Sequence, residues 1–284
     1  MEATIKSVLA EARDALERTG VNEPHGEAGL LLMHLLKCDR AFLIAHSDQQ
    51  LRGAQLEEYR RLVTRRAAGW PLQYITGRQE FYRLDFEVTP AVLIPRPETE
   101  LIVEASLPLL QGTAAPVVAD IGTGSGCLAI SLLQELPRAR AVAVDTSPAA
   151  LSVAQRNAER HKVTTRLRLV KSDLFSAIDS GARFDVIVSN PPYIPAGDLG
   201  SLQREVLHEP RGALDGGPDG LTIIRRLVTE APGFLNQGGH LIFEIGLGQA
   251  SSIRDLVNDD VWELVELRRD LQGIQRIVVL RKRV

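Results

Sequence analysis

Over the first seventy residues, apolar side chains recur every three or four positions, which is the spacing of helices. Gly20 and the run Asn22-Glu23-Pro24 interrupt this pattern and mark helix boundaries. The apolar positions are Ile5, Val8, Leu9, Ala12 and Leu16, then Leu30, Leu31, Leu32, Leu35 and Leu36, then a short run from Asp39 to His46, and finally Leu56, Tyr59, Leu62 and Val63 between Gln55 and Ala68. Residues 1–70 are therefore predicted to form a small helical bundle whose apolar faces bury one another.

Between residues 71 and 95 the period shortens towards two, which is typical of strands. The alternation appears in Pro71–Gly77 and again in Glu80–Val88. We predict a β-hairpin within this linker, which joins the bundle to the rest of the chain. The helical period returns at Pro97, where a first-turn proline followed by acidic residues favours a helix through Leu110.

From Val117 onward, short apolar runs alternate with helical segments. Seven runs are predicted as strands: Val117–Ile121, Ala141–Val144, Leu167–Val170, Phe184–Ser189, His240–Ile245, Trp262–Leu267 and Arg276–Leu280. This alternation predicts an α/β domain over residues 96–284, in which helices cover both faces of a parallel sheet. The last two strands are too close in sequence for a crossover helix, so one of them is predicted to be antiparallel.

The composition is that of an ordinary globular protein, with 44% hydrophobic and 24% charged residues among 284. A net charge of −3 and a pI near 6.1 argue against stable binding to a nucleic-acid backbone. The first twenty residues carry four acids and no apolar core, so neither a signal nor a transit peptide is predicted. No stretch has the length and apolar character of a membrane span. The protein is expected to be cytoplasmic, with no membrane contact.

The cysteines and histidines form no catalytic or metal-binding pattern. Cys38 and Cys127 provide neither a disulfide framework nor zinc spacing. The six histidines are scattered along the chain, and surface or packing roles are favoured for each. No metal site is predicted.

A basic cluster, Arg60, Arg61, Arg65 and Arg66, lies in the fourth predicted helix. Residues 1–80 contain eleven Lys or Arg and eleven Asp or Glu, so the bundle as a whole is neutral. A solvated helix face is the favoured interpretation, because charge clusters on helices usually have that role. Contact with an acidic partner or with RNA is the alternative.

The first strand of the α/β domain runs into a glycine-rich turn, Gly122-Thr123-Gly124-Ser125-Gly126. Glycine allows a sharp turn and a close approach of the backbone to a nucleotide-like ligand. Cys127 stands where the dinucleotide pattern requires its third glycine. The turn therefore predicts a cofactor site, but not that of a dinucleotide.

Acidic residues stand at the ends of three successive strands. Asp145 is placed to accept both hydroxyl protons of a ribose, and Asp173 to accept a proton of an adenine amino group, with Leu174 or Phe175 against the ring. Asp120 either orients the glycine turn or faces the amino-acid end of the ligand. The strand ends carry acidic residues, and the glycine turn contains neither Lys nor Arg to bind a phosphate. This pattern favours a cofactor without phosphates. S-adenosylmethionine, with its positive sulfonium and ammonium groups, fits best.

The fourth strand ends in Asn190-Pro191-Pro192-Tyr193. The prolines end the strand because they cannot donate ladder hydrogen bonds, at the sheet edge where open α/β folds bind ligands. Asn190 offers an acceptor beside a donor, the Pro191 carbonyl is a second acceptor, and Tyr193 provides an aromatic face. These four residues are predicted to be catalytic and to hold a planar NH2 group.

The glycine turn, Asp145, Asp173 and the Asn-Pro-Pro-Tyr turn resemble those of class I S-adenosylmethionine methyltransferases that act on a planar amino nitrogen. Further runs are similar to the protein-glutamine methyltransferases of peptide chain release factors (the HemK/PrmC type): Pro71–Gly77, Ile94–Glu100, Glu209–Gly217, Asp219–Leu221 and Phe243–Gly246. The resemblance covers essentially the whole chain, including the helical front domain. Some members have an aromatic residue at the position of Leu174, a departure that concerns only adenine packing.

The resemblance implies a Rossmann-like seven-stranded sheet and methylation of the glutamine amide nitrogen in the Gly-Gly-Gln loop of class 1 release factors. S-adenosylmethionine is the implied cofactor and S-adenosylhomocysteine the product. The predicted cofactor contacts are Asp120, Gly122, Thr123, Gly124, Ser125, Gly126, Asp145, Asp173, Leu174 and Asn190. Arg96 is either an ordinary surface residue or a substrate contact at the mouth of the site, and the sequence does not distinguish the two.

Two other functions stay open. An adenine-amine DNA or guanine-amine RNA methyltransferase needs the same acceptor turn, but the acidic pI and the lack of an inserted basic domain disfavour it. A non-catalytic adaptor that binds cofactor or release factor is disfavoured by the intact Asn-Pro-Pro-Tyr turn. The protein is expected to act as a monomer whose helical bundle docks the release factor outside its Gly-Gly-Gln loop.

Overall fold

The computed structural model describes residues 3–283. The helices are α1 (Ile5–Arg18), α2 (Pro24–Leu36), α3 (Arg40–Ala45), α4 (Gly53–Ala67), α5 (Leu72–Thr76), α6 (Glu100–Leu110), α7 (Cys127–Glu135), α8 (Pro148–Arg160), α9 (Thr222–Glu230) and α10 (Ala250–Leu256). The strands are β1 (Arg78–Phe81), β2 (Leu84–Glu87), β3 (Val117–Ile121), β4 (Arg140–Asp145), β5 (Leu167–Lys171), β6 (Phe184–Ser189), β7 (Leu235–Glu244), β8 (Trp262–Arg269) and β9 (Gln275–Lys282).

The chain divides into two compact units. One holds the chain up to Gly77 together with Gln203–His208, and the other holds Arg78–Leu202 and the chain from Glu209 onward. We call them the helical unit and the sheet unit. Within residues 3–283, no helix combines the length and the apolar character needed to cross a membrane.

The helical unit has its own apolar core, formed by α1, α2, α4 and the shorter helices. Side chains predicted from the helical period, such as Ile5 and Leu16, are fully buried in it. Tyr59 lies in the same core, and its hydroxyl donates to the carbonyl oxygen of Ala28 at 2.9 Å. That hydrogen bond satisfies a polar atom that burial would otherwise leave without a partner.

The basic cluster of α4 is engaged within the helical unit. Arg66 is only 5% exposed, and its guanidinium pairs with Glu27 and with Glu205 of the Gln203–His208 segment. A buried guanidinium is tolerated only when it is paired, so these contacts explain why the segment packs here. Arg60 and Arg61 form exposed ion pairs. The interpretation of the cluster as a solvated face is therefore wrong for Arg66.

The prediction of extended structure in Pro71–Gly77 is wrong, because Leu72–Thr76 is the short helix α5. The run is apolar but short, and periodicity alone does not separate a strand from one helical turn at that length. The predicted hairpin exists slightly later in the chain, where β1 pairs antiparallel with β2.

The sheet unit contains the predicted seven-stranded sheet, with strand order β5-β4-β3-β6-β7-β9-β8. Neighbouring strands from β5 to β7 are parallel, whereas β9 is antiparallel to both β7 and β8. The prediction that one closing strand is antiparallel is confirmed. Two apolar cores cover the two faces of the sheet, as the continuous apolar runs of its central strands require.

The strand order places the two predicted motifs side by side. β3 and β6 are parallel neighbours, and their last residues Ile121 and Ser189 are paired. The chain order reverses here. The strands β4 and β5 lie on one side of β3, whereas β6 and β7 lie on its other side. The glycine turn after β3 and the Asn-Pro-Pro-Tyr turn after β6 thus flank the switch point where such sheets bind ligands.

Candidate functional site

A cavity lies at this switch point, entirely within the sheet unit. Nine of the predicted site residues line it: Gly122, Thr123, Gly124, Ser125, Asp145, Asp173, Leu174, Asn190 and Pro192. The other five, Asp120, Gly126, Pro191, Tyr193 and Arg96, are not among its lining residues. The structure therefore brings the glycine turn and the Asn-Pro-Pro-Tyr turn to one cavity. The five predicted residues that do not line it lie behind or beside its wall.

The glycine turn has a backbone that side chains would disturb. Gly124 adopts φ +54° and Gly126 φ +83°, both in the left-handed region that favours glycine. A Cβ atom on Gly126 would also lie 3.0 Å from Ile130 Cδ1 and 3.3 Å from Ala154 Cβ. Gly126 thus allows α7 to begin directly after the turn while α8 packs against it.

Asp145, at the end of β4, holds the glycine turn through its carboxylate. Oδ2 accepts a hydrogen bond from the Gly124 N–H at 3.0 Å, and Oδ1 accepts one from the Ser147 N–H at 2.9 Å. A carboxylate has about four acceptor positions. Asp145 therefore retains acceptor capacity at the cavity wall, where a ligand hydroxyl can donate.

Asp120, the last residue but one of β3, anchors the same turn from the protein interior. Its fully buried carboxylate accepts from the Thr123 hydroxyl at 2.6 Å and from the Ala129 N–H at 3.2 Å, both through Oδ2. Burial raises the pKa of Asp120 to about 6, although these two hydrogen bonds favour the charged form. Oδ1 has no hydrogen-bond partner in the described structure. The sequence left two roles open for Asp120: orienting the glycine turn or facing the amino-acid end of the ligand. These contacts are those of a residue that orients the turn.

Asp173 and Leu174 follow β5 at the other end of the cavity. The Asp173 carboxylate forms an exposed ion pair with Arg226 of α9, at 3.0 and 3.1 Å. Leu174 has a positive φ of 47°, and its buried side chain lines the cavity. Such backbone strain in a non-glycine residue is typical of functional sites. The partner Arg226 was not found from the sequence, because nothing local signals it.

The Asn-Pro-Pro-Tyr turn is held by residues from two other segments. Asn190 Nδ2 donates to Thr99 Oγ1 at 3.0 Å, and Thr99 Oγ1 donates to Glu244 Oε2 at 2.6 Å. The Tyr193 hydroxyl donates to Glu244 Oε1 at 2.9 Å. Burial raises the pKa of Glu244, and burial beside this carboxylate also raises the pKa of Tyr193. An acidic residue inside the apolar run of β7 was the sequence signal for Glu244, but no role was assigned to it.

Gln249, just before α10, fixes the backbone around Tyr193. Its Nε2 donates to the carbonyl oxygens of Tyr193 and Gly220, at 3.0 and 3.3 Å. Its Oε1 accepts from the Gly246 N–H at 2.8 Å. One side-chain amide thereby joins three loops, a role that sequence reasoning missed.

Arg96 is engaged in the structure rather than free. Its guanidinium pairs with the buried carboxylate of Glu209, which also accepts from the Ile94 N–H at 3.0 Å. The pair joins the loop before α6 to the Glu209–Gly217 loop. Arg96 therefore has a structural partner that the sequence did not indicate.

The chemistry of the cavity wall fits the predicted cofactor. Its described lining residues include Asp145 and Asp173 but neither Lys nor Arg. A phosphate group normally requires cationic or densely packed N–H donors, whereas a sulfonium or ammonium group is favoured beside carboxylates. The apolar side chains of Leu174 and Ile223 provide a surface for a flat ring.

Comparison with known proteins extends these observations to the whole chain. Family models described as the PrmC N-terminal domain and the methyltransferase small domain match residues 7–77 and 99–246. The release factor glutamine methyltransferase of Koribacter versatilis is 44% identical, over 98% of this chain and 99% of its own. That of Geobacter sulfurreducens is 47% identical, over 97% and 95%.

Solved structures with a similar fold are more distant in sequence. The hMettl16 catalytic domain in complex with a 3'UTR hairpin is 16% identical, over 78% of this chain and 81% of that chain, with a TM-score of 0.57. The T. thermophilus 16S rRNA methyltransferase RsmC, in complex with AdoMet and guanosine, is 20% identical, over 73% and 50%, with a TM-score of 0.52. These two similarities establish the fold alone.

Proposed function

Because the chain belongs to the family of release factor glutamine methyltransferases, we propose that its substrate is the glutamine of the Gly-Gly-Gln loop in class 1 release factors. A methyl group passes from the sulfonium of S-adenosylmethionine to the side-chain amide nitrogen, which loses one of its two protons to solvent, and S-adenosylhomocysteine is released.

The observation that carries the proposal is the orientation of Asn190 at the cavity. Its side-chain nitrogen is committed to Thr99, so its side-chain oxygen is the atom left to accept a proton from a substrate. A glutamine amide presents two protons in one plane. We infer that Asn190 Oδ1 and the Pro191 carbonyl oxygen accept these two protons, and that the Tyr193 ring packs on the amide plane.

Positioning, rather than general-base catalysis, is the proposed mechanism. An amide nitrogen is a poor nucleophile because its lone pair is delocalised into the carbonyl group. No histidine is found among the described residues that line the cavity. When bound, S-adenosylmethionine supplies an electrophilic methyl group on a sulfonium. Alignment of the amide nitrogen with that methyl group by Asn190 and Pro191 can contribute about 7–11 kcal/mol at most.

The cofactor contacts follow from the cavity wall. We propose that the glycine turn approaches the amino-acid portion, that Asp145 accepts the ribose hydroxyl protons, and that Asp173 accepts an adenine amino proton beside Leu174. Asp173 retains acceptor positions for this role because its pair with Arg226 is exposed and therefore weak. Asp120 supports this binding indirectly, through Thr123 and the start of α7.

The helical unit is proposed to dock the release factor outside its Gly-Gly-Gln loop. In this scheme residues 1–70 recognise the substrate protein, residues 71–95 link the two parts, and residues 96–284 carry the chemistry. Arg96 supports the cavity wall in this scheme rather than contacting substrate. A cytoplasmic monomer suffices for this reaction, because the residues proposed to hold the cofactor and the substrate amide all come from one chain.

A labelling experiment tests the function against its rivals. Purified protein is incubated with methyl-labelled S-adenosylmethionine and, separately, a class 1 release factor, duplex DNA and rRNA. We expect label only in the release factor, and peptide mapping should place it on the glutamine of the Gly-Gly-Gln loop. A release factor with alanine in place of that glutamine is the matched control. Label in DNA or rRNA would identify a nucleic-acid amine methyltransferase, and cofactor binding without any transfer would identify an adaptor.

A further inference from the structure

The side chain of Asn190 is held by two consecutive hydrogen bonds that lead to a buried carboxylate. They run from Asn190 Nδ2 to Thr99 Oγ1 and from Thr99 Oγ1 to Glu244 Oε2. We propose that Glu244, acting through Thr99, determines which atom of the Asn190 amide faces the substrate. The inference rests on the proposed function, because it concerns the acceptor that holds the substrate amide.

The direction of both hydrogen bonds follows from the chemistry of the three groups. An ionised carboxylate can only accept, and a hydroxyl has a single proton to donate. Because Thr99 gives that proton to Glu244, its oxygen is left to accept from Asn190. The amide of Asn190 must therefore turn its nitrogen to Thr99 and leave its oxygen for the substrate.

The reversed amide has no satisfactory arrangement. It would place Asn190 Oδ1 against Thr99 Oγ1, and the one hydroxyl proton would then serve either Asn190 or Glu244 but not both. Two oxygen atoms in contact without a proton repel each other, and a buried acceptor without a donor destabilises the fold. The reversed amide would also present its NH2 to the NH2 of the substrate, so two donors would meet.

The surroundings of Glu244 support the assignment. Thr99 and Glu244 are each 2% exposed, so water does not compete for their hydrogen bonds. The Tyr193 hydroxyl donates to the other carboxylate oxygen. Burial raises the pKa of Glu244, whereas both hydroxyl donors and the nearby Arg276 favour its ionised form. The same carboxylate thus positions both ends of the Asn-Pro-Pro-Tyr turn.

Thr99 and Glu244 are positioning residues, since they act on the substrate through Asn190 and Tyr193. They come from parts of the chain far from the turn: Thr99 precedes α6, and Glu244 ends β7. Thr99 is 91 positions from Asn190 and 145 from Glu244. The arrangement exists only in the folded chain.

Two substitutions of Thr99 separate this role from simple packing. Thr99→Val keeps the shape but removes the hydroxyl, whereas Thr99→Ser keeps the hydroxyl and loses a methyl group. We expect Thr99→Val to lower kcat for the release factor by about 100-fold, because a misplaced acceptor misaligns the reacting nitrogen. Its Kd for S-adenosylmethionine, measured by calorimetry, should stay near that of the unmodified protein. Thr99→Ser should recover most of kcat. A normal kcat in Thr99→Val, or no recovery in Thr99→Ser, would overturn the proposal.

A second measurement reads the orientation without any turnover. In protein labelled with 15N-asparagine, the side-chain NH2 signal of Asn190 is identified by its loss in Asn190→Ala. We expect the chemical shift of this signal to change in Thr99→Val, which removes the hydroxyl, and in Glu244→Gln, where an amide replaces a group that can only accept. In Thr99→Ser the chemical shift should be unchanged. An unchanged signal in Thr99→Val would overturn the positioning role. If the unmodified protein did not methylate the release factor, the proposed function would be refuted. The NH2 signal would still report the orientation of the Asn190 amide, so the two failures can be distinguished.

Discussion

Arg96 and Glu209 are 113 positions apart in the chain and form an ion pair in which the Glu209 side chain is only 1% exposed. Glu209 also accepts from the backbone N–H of Ile94. These contacts join two loops that contribute Pro95 and Pro210 to the cavity wall. The pair therefore shapes the wall of the cavity.

We expect Arg96→Ala to lower the free energy of unfolding by about 3 kcal/mol, because it leaves the Glu209 carboxylate buried without a cation. The double variant Arg96→Ala/Glu209→Gln should recover part of this loss, since a neutral amide needs no counter-ion. Urea denaturation of the unmodified protein and both variants provides the measurement. If the single variant were as stable as the unmodified protein, the structural role of the pair would be refuted.

Asn190→Ala should abolish methylation of the release factor while S-adenosylmethionine still binds within a few-fold of its normal affinity. The substitution removes the proposed acceptor for the substrate amide but leaves the glycine turn and Asp145 in place. Radiolabel transfer and calorimetry measure the two effects. Asn22→Ala, at an exposed position of the helical unit, is the matched control. Normal turnover in Asn190→Ala would contradict the assigned role.

The stability of the protein without cofactor should depend on pH through Asp120. Burial raises the pKa of this carboxyl from 3.8 to about 6, so the folded state binds its proton more tightly than the unfolded state does. The contribution of Asp120 to stability is therefore fully present below pH 3.8 and is lost as the pH rises to about 6, by about 3 kcal/mol in all. Unfolding free energies of the unmodified protein and Asp120→Asn, measured from pH 4 to pH 7, provide the test. The stability difference between them should change over this range, and a constant difference would refute the assignment.

Gly126→Ala should destabilise the protein by about 2 kcal/mol, because alanine is strained at a φ of +83° and its Cβ would crowd Ile130. Gly53→Ala is the matched control, since Gly53 begins α4 and an added Cβ there meets no atom within 4 Å. Thermal unfolding should show a lower Tm for the first variant only. Equal Tm values would argue that the turn relaxes without difficulty.

If the helical unit docks the release factor, its exposed apolar residues are the expected contacts. Leu30 and Ile44 are both exposed and lie on one groove of this unit. We expect Leu30→Ser/Ile44→Ser to raise KM for intact release factor and to leave kcat unchanged, because apolar contact area outside the site is lost. Leu271→Ser, which changes an exposed leucine of the sheet unit, is the control. A normal KM in the double variant would argue against docking at this groove.

The sequence determined those features that depend on residues close together in the chain. Apolar runs of four to six residues specified the strands of the sheet, and the proline pair specified where β6 ends. The glycine turn was recognisable because its positive φ values require that residue type. The ambiguous case was Leu72–Thr76, because a run of five residues satisfies either period; in the structure it is a helix.

Only the tertiary structure decided which distant side chains meet. Thr99 and Glu244 approach Asn190, Glu209 pairs with Arg96, and Arg226 reaches Asp173, through contacts across many tens of residues. No periodic pattern encodes such pairs, because a polar side chain finds its partner through the packing of whole elements rather than through its sequence neighbours. The sequence therefore fixes the types of group at the switch point, whereas the folded chain fixes the direction of their hydrogen bonds.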